Sequence, residues 1–344
     1  MLKYLFLKLK FYLSENVGMA GLRADAVALY TKDMYMAARE SYEDEPVVYP
    51  EVYKVKSGKE VKGAGHKETQ ILGAGSLVRH TSEGQDVIFK SPIQGWDFYV
   101  RYWTFSDGLA LSKESVEDTV KLGNLLNDLA ETWGMSERVL KETFGARAFN
   151  EGGATAGDYV FNGTHTGNTD GSGDLLYDSF PLFNLTGNAR STKGGVTYFN
   201  ADSALTVTPA DFETLYNMMT TTNARDERDR IVKNTVDTAL TKTGSDGFLM
   251  DRIIKTERGM PGGDMNDKNP YYGIIKKHIM WEYITEGFYL GKAQHKDFQW
   301  HERQSKEIRL FRDEKNLGYK ASINVRFGIF IKNWRAWGRG GGTY

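Results

Sequence analysis

The alternation of apolar and polar residues is clearest near the end of the chain, where it predicts a β-hairpin. Ile308 and Leu310 alternate with polar neighbours, and the polar segment 312–318 supplies the turn. Trp334 and Trp337 follow the second strand, and we interpret them as an aromatic cluster that closes the sheet before a glycine-rich tail. The second strand carries its apolar residues on one face, namely Ile323, Val325, Phe327, Ile329 and Ile331.

A period of three to four residues predicts helices in three places. The first covers residues 19–40. The second is a long helix that begins at an N-cap, Ser112, and ends near Asn150, and the third begins at Thr208, which a proline follows. The apolar positions of the long helix that are expected to face a core are Leu122, Leu125, Leu126, Leu129, Trp133, Val139, Leu140 and Phe144.

Three glycines of the long helix, Gly123, Gly134 and Gly145, lie on one side of it, because they are spaced by eleven residues, close to three turns. Each costs about 1 kcal/mol of helix stability relative to alanine. They are either neutral surface or kink positions, or they form a smooth face that lets another backbone approach closely.

Residues 47–60 and 96–105 are expected to be extended. Residues 56–95 are rich in Gly, Lys, Glu, Ser and Thr, with weak strand patterns at 76–81 and 86–90. This stretch is either a mobile surface excursion or a long two-stranded arm. Because an isolated hairpin is marginally stable in water, such an arm is expected to rest on a neighbouring subunit.

The second half of the chain is dominated by loops. Residues 151–210 are rich in glycine, and residues 256–273 form a further loop. Residues 225–240 are expected to form a strand or another helix, and 275–290 to form strands around a Glu-Gly turn.

Composition narrows the class of protein. The chain has 344 residues, which allows one multi-lobed subunit or two domains. It has 37 glycines and no cysteine, so disulfides, thiolate nucleophiles and cysteine metal sites are excluded. Its 44 basic and 45 acidic residues give a formal charge of −1, so no global field attracts nucleic acid or acidic membranes.

The first residues contain no apolar run long enough to span a bilayer, which needs about 20 residues. Lys3, Lys8 and Lys10 interrupt an apolar stretch, and we interpret it as a basic amphipathic arm instead of a signal peptide. Met19 offers a second plausible start. Residues 1–18 are then an upstream extension of the coding sequence.

Candidate chemistry is sparse. The segment from Asn168 to Asp174, with Asp170 and Ser172 between, resembles the front of a calcium loop, but Ser179 stands where a bidentate glutamate is required. A Gly/Asp turn is the preferred interpretation. Six scattered histidines show no metal-ligand spacing, and they are His66, His80, His165, His278, His295 and His301.

Other functional patterns are equally weak. Asp170, Asp174 and Asp178 could serve as glycosidase carboxylates only if two of them faced each other across a substrate. Basic and aromatic residues interleave between Phe330 and Trp337, which could touch nucleic acid, although an aromatic cluster is favoured. No nucleotide-binding or nucleophile-elbow motif occurs. We therefore expect no enzymatic activity, no catalytic, cofactor-binding or metal-binding residues, and no cofactor.

The order of these segments resembles one family, the major capsid (head) proteins of tailed bacteriophages, and within it the Mu-like head-subunit branch. The resemblance covers about residues 19–338. Its individual motifs are short, and their order and spacing carry it. The matching segments are Met19–Glu40, Tyr49–Gly95, Leu111–Asp118, Ala146–Asn150, Gly167–Leu176 with Ser179-Phe180-Pro181, Asn184–Leu205, Thr208–Glu213, Asn266–Pro270 and Phe327–Arg335.

The resemblance implies an α+β tailed-phage major capsid protein fold with five segments. These are an N-terminal arm (1–48), an extended loop (49–95), a peripheral domain with a spine helix (96–150), an axial domain (151–285) and return strands of the peripheral domain (286–344). It further implies a structural subunit that self-assembles into pentamers and hexamers of an icosahedral head enclosing DNA. Lys62 and Lys67 lie in the loop, but no partner for a covalent cross-link can be assigned.

The implied partners are other copies of the chain, with scaffold, portal and decoration proteins, and packaged DNA contacted non-specifically at most. No membrane partner is expected. The implied location is the virion, after synthesis in the host bacterial cytoplasm. Two alternatives stay open, a tail or adhesion protein that binds a surface and a carbohydrate-active enzyme.

Overall fold

The fold is a mixture of helices and sheets. The computed structural model describes residues 24–72, 86, 93–112, 122–153, 181–185, 190–191, 197–222, 224–225, 231, 233–259, 268–312 and 318–342. The expected α+β class is confirmed within these ranges. No helix in these ranges has both the length and the apolar character needed to cross a bilayer.

Five helices are described: α1 (Ala24–Glu43), α2 (Tyr49–Val52), α3 (Leu122–Asn150), α4 (Pro209–Asn217) and α5 (Ser245–Lys255). The helix predicted over residues 19–40 is confirmed by α1 from Ala24 onward, and the helix predicted to begin at Thr208 is confirmed by α4. Thr208 is the N-cap of α4, where its hydroxyl accepts a hydrogen bond from the backbone N–H of Asp211 at 3.3 Å. The long helix is confirmed from Leu122 to Asn150, whereas the expected start after Ser112 falls on residues 113–121, outside the described ranges.

The described strands have 2 to 15 residues, and the two longest lie near the C-terminus. They are β1 (Lys54–Ser57), β2 (Gly65–Leu72), β3 (Ile93–Arg101), β4 (Trp103–Leu111), β5 (Arg190–Ser191), β6 (Thr197–Tyr198), β7 (Ala201–Asp202), β8 (Thr238–Thr241), β9 (Lys277–Met280), β10 (Phe288–Gly291), β11 (Phe298–Arg312), β12 (Tyr319–Ile331) and β13 (Trp337–Gly340). They form a four-stranded sheet, β1-β11-β12-β4, and a five-stranded sheet, β7-β13-β10-β8-β9. Two further pairs, β2-β3 and β5-β6, form sheets of their own.

The chain divides into two compact units. Unit 1 is drawn from residues 1–47, 103–141 and 302–327. In it, apolar residues of α1 and of the first part of α3 share one core with residues of β11 and β12. The buried members of this core are Met34, Ala37, Ala38, Leu126, Ala130, Trp133, Ile308, Leu310, Ala321 and Ile323.

Unit 2 is drawn from residues 48–102, 142–301 and 328–344. Its apolar core joins α4 and α5 to the five-stranded sheet, with Phe212, Met250, Ile253 and Leu290 among its buried members. A second, aromatic packing centre surrounds Phe149, near the end of α3. The rings within 6.2 Å of Phe149, measured between centroids, are Tyr53, Phe183, Trp281, Tyr289, Phe298 and Trp337.

The C-terminal hairpin prediction is confirmed, because β11 and β12 are neighbours and β12 alternates buried and half-buried residues from Tyr319 to Phe327. From Gly328 onward every residue of β12 is buried, so both faces of the strand are covered. Trp334 and Trp337 are 2% and 0% exposed, which confirms the aromatic cluster. The predicted turn falls largely on residues 313–317, outside the described ranges.

The glycine-rich tail contains a further strand that the sequence analysis did not predict. Residues 337–340 form β13, which pairs parallel with β7 and antiparallel with β10. A Cβ atom on Gly340 would overlap the Phe288 ring, and one on Gly338 would overlap Met219. These glycines are therefore required by close packing in a central strand, a role that their composition alone does not reveal.

Residues 47–60 were expected to be extended, and this is wrong for residues 49–52, which form the helical turn α2. The carboxylate of Glu142 accepts hydrogen bonds from the backbone N–H groups of Val48 and Tyr49, at 2.7 and 3.2 Å. Because Glu142 comes from α3, far away in sequence, this N-terminal cap could not be seen in the local pattern.

Three other boundaries differ from expectation. The strand expected over 96–105 is divided at Tyr102, so that its first part pairs with β2 and its second with β12. Within the described part of 225–240, the regular element is the short strand β8, which begins at Thr238, and Arg225 and Ile231 form an isolated bridge. The strands expected around the turn at Gly287 exist as β9 and β10, but β8 lies between them, so they do not form a hairpin.

Candidate functional site

The β2-β3 hairpin is the first candidate for an interaction element. Its strands pair antiparallel from Gly65 opposite Arg101 to Leu72 opposite Ile93, with an irregularity between Thr69 and Ile71. The two-stranded arm expected within residues 56–95 is confirmed for this paired part. The runs 76–81 and 87–90 lie outside the described residues. Contact with a neighbouring subunit stays a prediction.

The base of this hairpin is held by a cluster of rings and directed hydrogen bonds in unit 2. The ring of His66 on β2 lies edge-on to His301, at 5.0 Å, and to Phe330, at 4.6 Å, measured between centroids. The Tyr102 hydroxyl lies 3.1 Å from Nδ1 of His301, and Nε2 of His301 lies 2.8 Å from Oε1 of Gln299. The amide of Gln299 in turn donates to the carbonyl of Lys296.

These bonds fix the tautomer of His301. Since the Gln299 nitrogen donates to Lys296, its oxygen faces His301 and must accept from Nε2. Nδ1 then accepts from the Tyr102 hydroxyl. His301 is 1% exposed, and its burial, with the nearby charges of His66 and Lys56, lowers its pKa to about 3. The ring is therefore neutral at physiological pH.

A second histidine chain occurs on the five-stranded sheet. Nε2 of His278 lies 2.8 Å from the hydroxyl of Thr241, and its Nδ1 lies 2.6 Å from the carboxylate of Asp251. The order hydroxyl, imidazole, carboxylate is that of an activated nucleophile. Thr241 is 0% exposed, however, so no substrate carbonyl can reach its oxygen in this conformation. We interpret this series of hydrogen bonds as a structural tie between β8, β9 and α5.

Electrostatics around this tie are consistent with a structural role. Burial lowers the pKa of His278, and the neighbouring Asp251 carboxylate opposes that shift. Burial raises the pKa of Asp251, but hydrogen bonds from Lys255 and His278 outweigh it, so the pKa of this carboxyl lies below its usual value. Lys255 and Asp251 are 2.8 Å apart, measured from Nζ to Oδ1.

The other sequence candidates fall largely on residues that the structure does not describe. The calcium-like segment 168–174, with Ser179, and the three candidate carboxylates Asp170, Asp174 and Asp178 lie outside the described residues, as do His80 and His165. Within the described ranges, no three His, Asp or Glu side chains are grouped so that they could hold a metal ion.

The basic and aromatic segment from Phe330 to Trp337 does not offer stacking surfaces. Phe330, Trp334 and Trp337 are all buried, and the guanidinium of Arg335 lies 4.6 Å from the centroid of the Trp334 ring. Stacking of nucleic-acid bases needs exposed ring faces. The preferred interpretation as a packing cluster is therefore confirmed.

Unit 1 contains a buried network of charges that joins three elements. Lys141 lies 2.8 Å from Glu137 and 2.9 Å from Glu302, measured between nitrogen and oxygen, and Lys306 lies 3.3 Å from Glu137. Both lysine nitrogens lie over the ring of Tyr42, at 5.1 and 4.8 Å from its centroid. Burial lowers the pKa of Lys141, but Glu137 and Glu302 outweigh it and raise the pKa above its usual value.

The side of α3 that carries glycines is packed, and close approach of another backbone is confirmed at Gly134, whereas Gly123 and Gly145 face side chains. A Cβ atom on Gly134 would overlap the carbonyl oxygen of Ala38 in α1. A Cβ atom on Gly123 would lie 3.2 Å from Cε1 of Tyr30, and one on Gly145 would lie 3.0 Å from Cη2 of Trp281. The backbone that approaches most closely belongs to the same chain.

The opposite side of α3 is open. Leu125, Met135 and Val139 are 40%, 45% and 45% exposed, which corrects the expectation that Leu125 and Val139 face a core. They follow one line along the helix together with the exposed residues Asp128 and Thr132. We call this line the outer stripe of α3. Each apolar residue lies singly beside polar ones, as is common on protein surfaces, and the line as a whole offers a partly apolar surface on which another element can pack.

Two buried features were not predicted from the sequence. The His301 cluster was missed because its members come from β2, β11, β12 and the residue between β3 and β4, and no local spacing connects them. The Lys141 network was partly visible, since Glu137 and Lys141 are four residues apart on a helix. Their burial was not predictable from that spacing.

Comparison with known proteins identifies the fold. Neither a protein-family model nor a curated protein matches the sequence. A chain of the capsid structure of cyanophage P-SCSP1u aligns with a TM-score of 0.51 and 6% identity, over 87% of this chain and 89% of that chain. The protein therefore has the mixed α+β fold of a phage major capsid protein.

Two further solved structures align with lower TM-scores. The mature capsid of bacteriophage PhiM1 aligns with a TM-score of 0.46 and 7% identity, over 86% of this chain and 87% of that chain. The virus-like particle from Pyrococcus furiosus aligns with a TM-score of 0.45 and 9% identity, over 90% and 98%.

Proposed function

We propose that the chain is a structural subunit of a phage-type capsid, and that its copies assemble into pentamers and hexamers of an icosahedral shell enclosing DNA. The observation that carries this proposal is the fold shared with the cyanophage capsid chain over most of both lengths. Membership of the Mu-like branch is part of the proposal and is supported by the order of the sequence motifs from Met19 to Arg335.

The five-segment division of the chain belongs to the same proposal. Residues 1–48 act as the N-terminal arm, 49–95 as the extended loop, 96–150 and 286–344 as the peripheral domain, and 151–285 as the axial domain. One observation refines it. The strands β10 and β13 share a sheet with β8, so part of segment 286–344 packs with residues assigned to the axial domain.

The contact between subunits is formed by the hairpin of one copy and the outer stripe of α3 in its neighbour. A two-stranded hairpin gains little stability alone and needs a surface to lie on. The outer stripe supplies apolar side chains, Leu125, Met135 and Val139, that are left exposed within one copy. A net charge near zero suits a protein that packs against copies of itself.

A shortened hairpin tests this contact. Glu68 and Phe98 are directly opposite in the β2-β3 register, so residues 69–97 can be replaced by Asn-Gly, which favours a two-residue hairpin turn. The variant keeps His66 and Tyr102 at the hairpin base. We expect a folded subunit whose circular dichroism shows the same helical content as the unmodified protein. It should no longer form large particles in sedimentation velocity.

A second variant reaches the same contact from the other side. Val139→Asp places a charge on the outer stripe, where the exposed position tolerates it in a single copy, and it should also abolish large particles. Normal assembly of both variants would show that this pair of surfaces is not the subunit contact.

Other partners follow from the same proposal. Copies of the chain are the main partner, with scaffold, portal and decoration proteins, and packaged DNA is contacted non-specifically at most. The protein is located in the virion after synthesis in the host bacterial cytoplasm. Enzymatic activity is not part of this function. A fibrous adhesion protein would be β-rich, and the 29-residue helix α3 argues against that architecture.

A further inference from the structure

We propose that His66, His301 and Tyr102 form a pH-sensitive clamp, which holds the base of the β2-β3 hairpin at neutral pH and releases it on acidification. We call these three residues the histidine clamp. All of them belong to unit 2 of one chain, so the clamp does not depend on whether the chain builds a shell.

The clamp sits where the hairpin joins the rest of unit 2. Tyr102 directly follows β3, and its backbone N–H donates to the carbonyl of Ala64, directly before β2, at 3.1 Å. Its hydroxyl reaches His301 on β11, and His66 on β2 packs against both His301 and Phe330. Both strands of the hairpin are therefore attached to β11 and β12 through this cluster.

The clamp is built for a neutral His301. The ring is stacked on Phe330, with centroids 5.4 Å apart and planes at 22°, and both of its nitrogens have partners that suit the neutral form. The charged or titratable groups that face it are Lys56 from β1, His66 from β2 and the Tyr102 hydroxyl. Phe330 of β12 and Gln299 of β11 add no charge, so no carboxylate stabilises a proton on the ring among the neighbours whose side chains the structure describes.

The direction of the pH effect follows from linkage. A histidine whose pKa is lowered in the closed state, here to about 3 from 6.5, binds a proton more readily once the clamp opens. Closure is fully favoured above pH 6.5 and is progressively lost as the pH falls towards 3. Between pH 7.5 and pH 5.0 the closing equilibrium weakens by about 30-fold. The hairpin has little stability of its own once detached.

Hydrogen exchange of the purified full-length protein tests the clamp. The reporter is the Tyr102 amide, and the reference is the segment of α3 from residue 142 to 149, also in unit 2. After correction for intrinsic exchange rates, we expect protection of Tyr102 to fall about 30-fold from pH 7.5 to pH 5.0, with the reference unchanged. Equal protection at both pH values, or parallel loss in the reference, overturns the proposal.

Two variants and a control assign the effect. His301→Gln removes the titrating ring and should make the protection of Tyr102 independent of pH. If that variant does not fold, His66→Phe keeps a ring against Phe330 and removes one imidazole that lowers the pKa of His301, so opening should shift to lower pH. His278→Gln changes another buried histidine of unit 2 and should leave the response intact. A wild-type loss of protection between pH 7.5 and pH 5.0 in His301→Gln contradicts the clamp, and so does a wild-type loss between pH 5.0 and pH 3.5 in His66→Phe.

Discussion

Neighbouring residues on one helix can have opposite roles, as Leu125 and Leu126 show. Leu126 is 1% exposed in the core of unit 1, whereas Leu125 is 40% exposed on the outer stripe. Leu126→Asp buries an unpaired charge, and we expect no soluble folded subunit. Leu125→Asp is the matched control and should change the free energy of unfolding by about 1 kcal/mol or less. The yield of soluble protein after expression checks Leu126→Asp, and urea unfolding checks Leu125→Asp. Equal behaviour of the two variants would contradict the assignment of faces.

Close packing at Gly134 gives a second prediction. Alanine is the better helix former by about 1 kcal/mol, yet its Cβ atom at position 134 would overlap the backbone oxygen of Ala38. We expect Gly134→Ala to destabilise the fold by about 1–3 kcal/mol. The Cβ atom of Gly123→Ala would contact only the ring of Tyr30, which can move, so this variant should be neutral or stabilising. Thermal unfolding of both variants checks the prediction. A stabilising Gly134→Ala would show that the helices separate easily.

Sequence patterns predicted individual positions where the cause was local. The alternation in β12 correctly placed Ile323, Val325 and Phe327 in a core, because the period of a strand follows from backbone geometry. The pattern failed for Leu125 and Val139, since an apolar residue on a helix does not reveal whether its surface is covered by the same chain or left for another one.

At the scale of elements, the buried charges of unit 1 link α1, α3 and β11. Glu137 lies between Lys141 and Lys306, so Glu137→Leu removes the carboxylate that both lysines share. Lys141 then keeps Glu302, and Lys306 keeps only the weaker attraction of Glu43 among the described carboxylates. We expect a loss of about 3–5 kcal/mol in the free energy of unfolding. Adding Lys306→Met restores the charge balance and should recover part of that loss.

A double-mutant cycle in urea measures this coupling. The single variant Lys306→Met serves as the control, because it leaves the pair of Glu137 and Lys141 intact. Additive effects of the two substitutions would mean that the network stabilises each element separately and does not link them.

Elements were predictable from the sequence to the extent that their partners lie nearby in the chain. The Thr208 cap and the proline after it set the start of α4. The turn α2 and the strand β13 were missed, because one depends on Glu142 of α3 and the other on pairing with β7 and β10. The hairpin was visible as a change of composition, but its register and its clamp required the folded structure.

At the scale of the whole molecule, the motif order of the sequence and the comparison with solved structures indicate the same fold. The fold was predicted from the order of weak motifs, and the alignment with the cyanophage capsid chain confirms it. The hydroxyl-imidazole-carboxylate chain at Thr241 is closed to substrates within the described structure. The proposed assembly assigns the contact between subunits to the exposed outer stripe and the hairpin.

Assembly is the property that tests this account most directly. The measurement is negative-stain electron microscopy of the purified protein after size-exclusion chromatography, first of the protein expressed alone and then of the protein co-expressed with a candidate scaffold protein. We predict closed shells, or free pentamers and hexamers, in at least one of the two preparations. A uniform monomer in both would contradict the proposal that this chain builds a capsid.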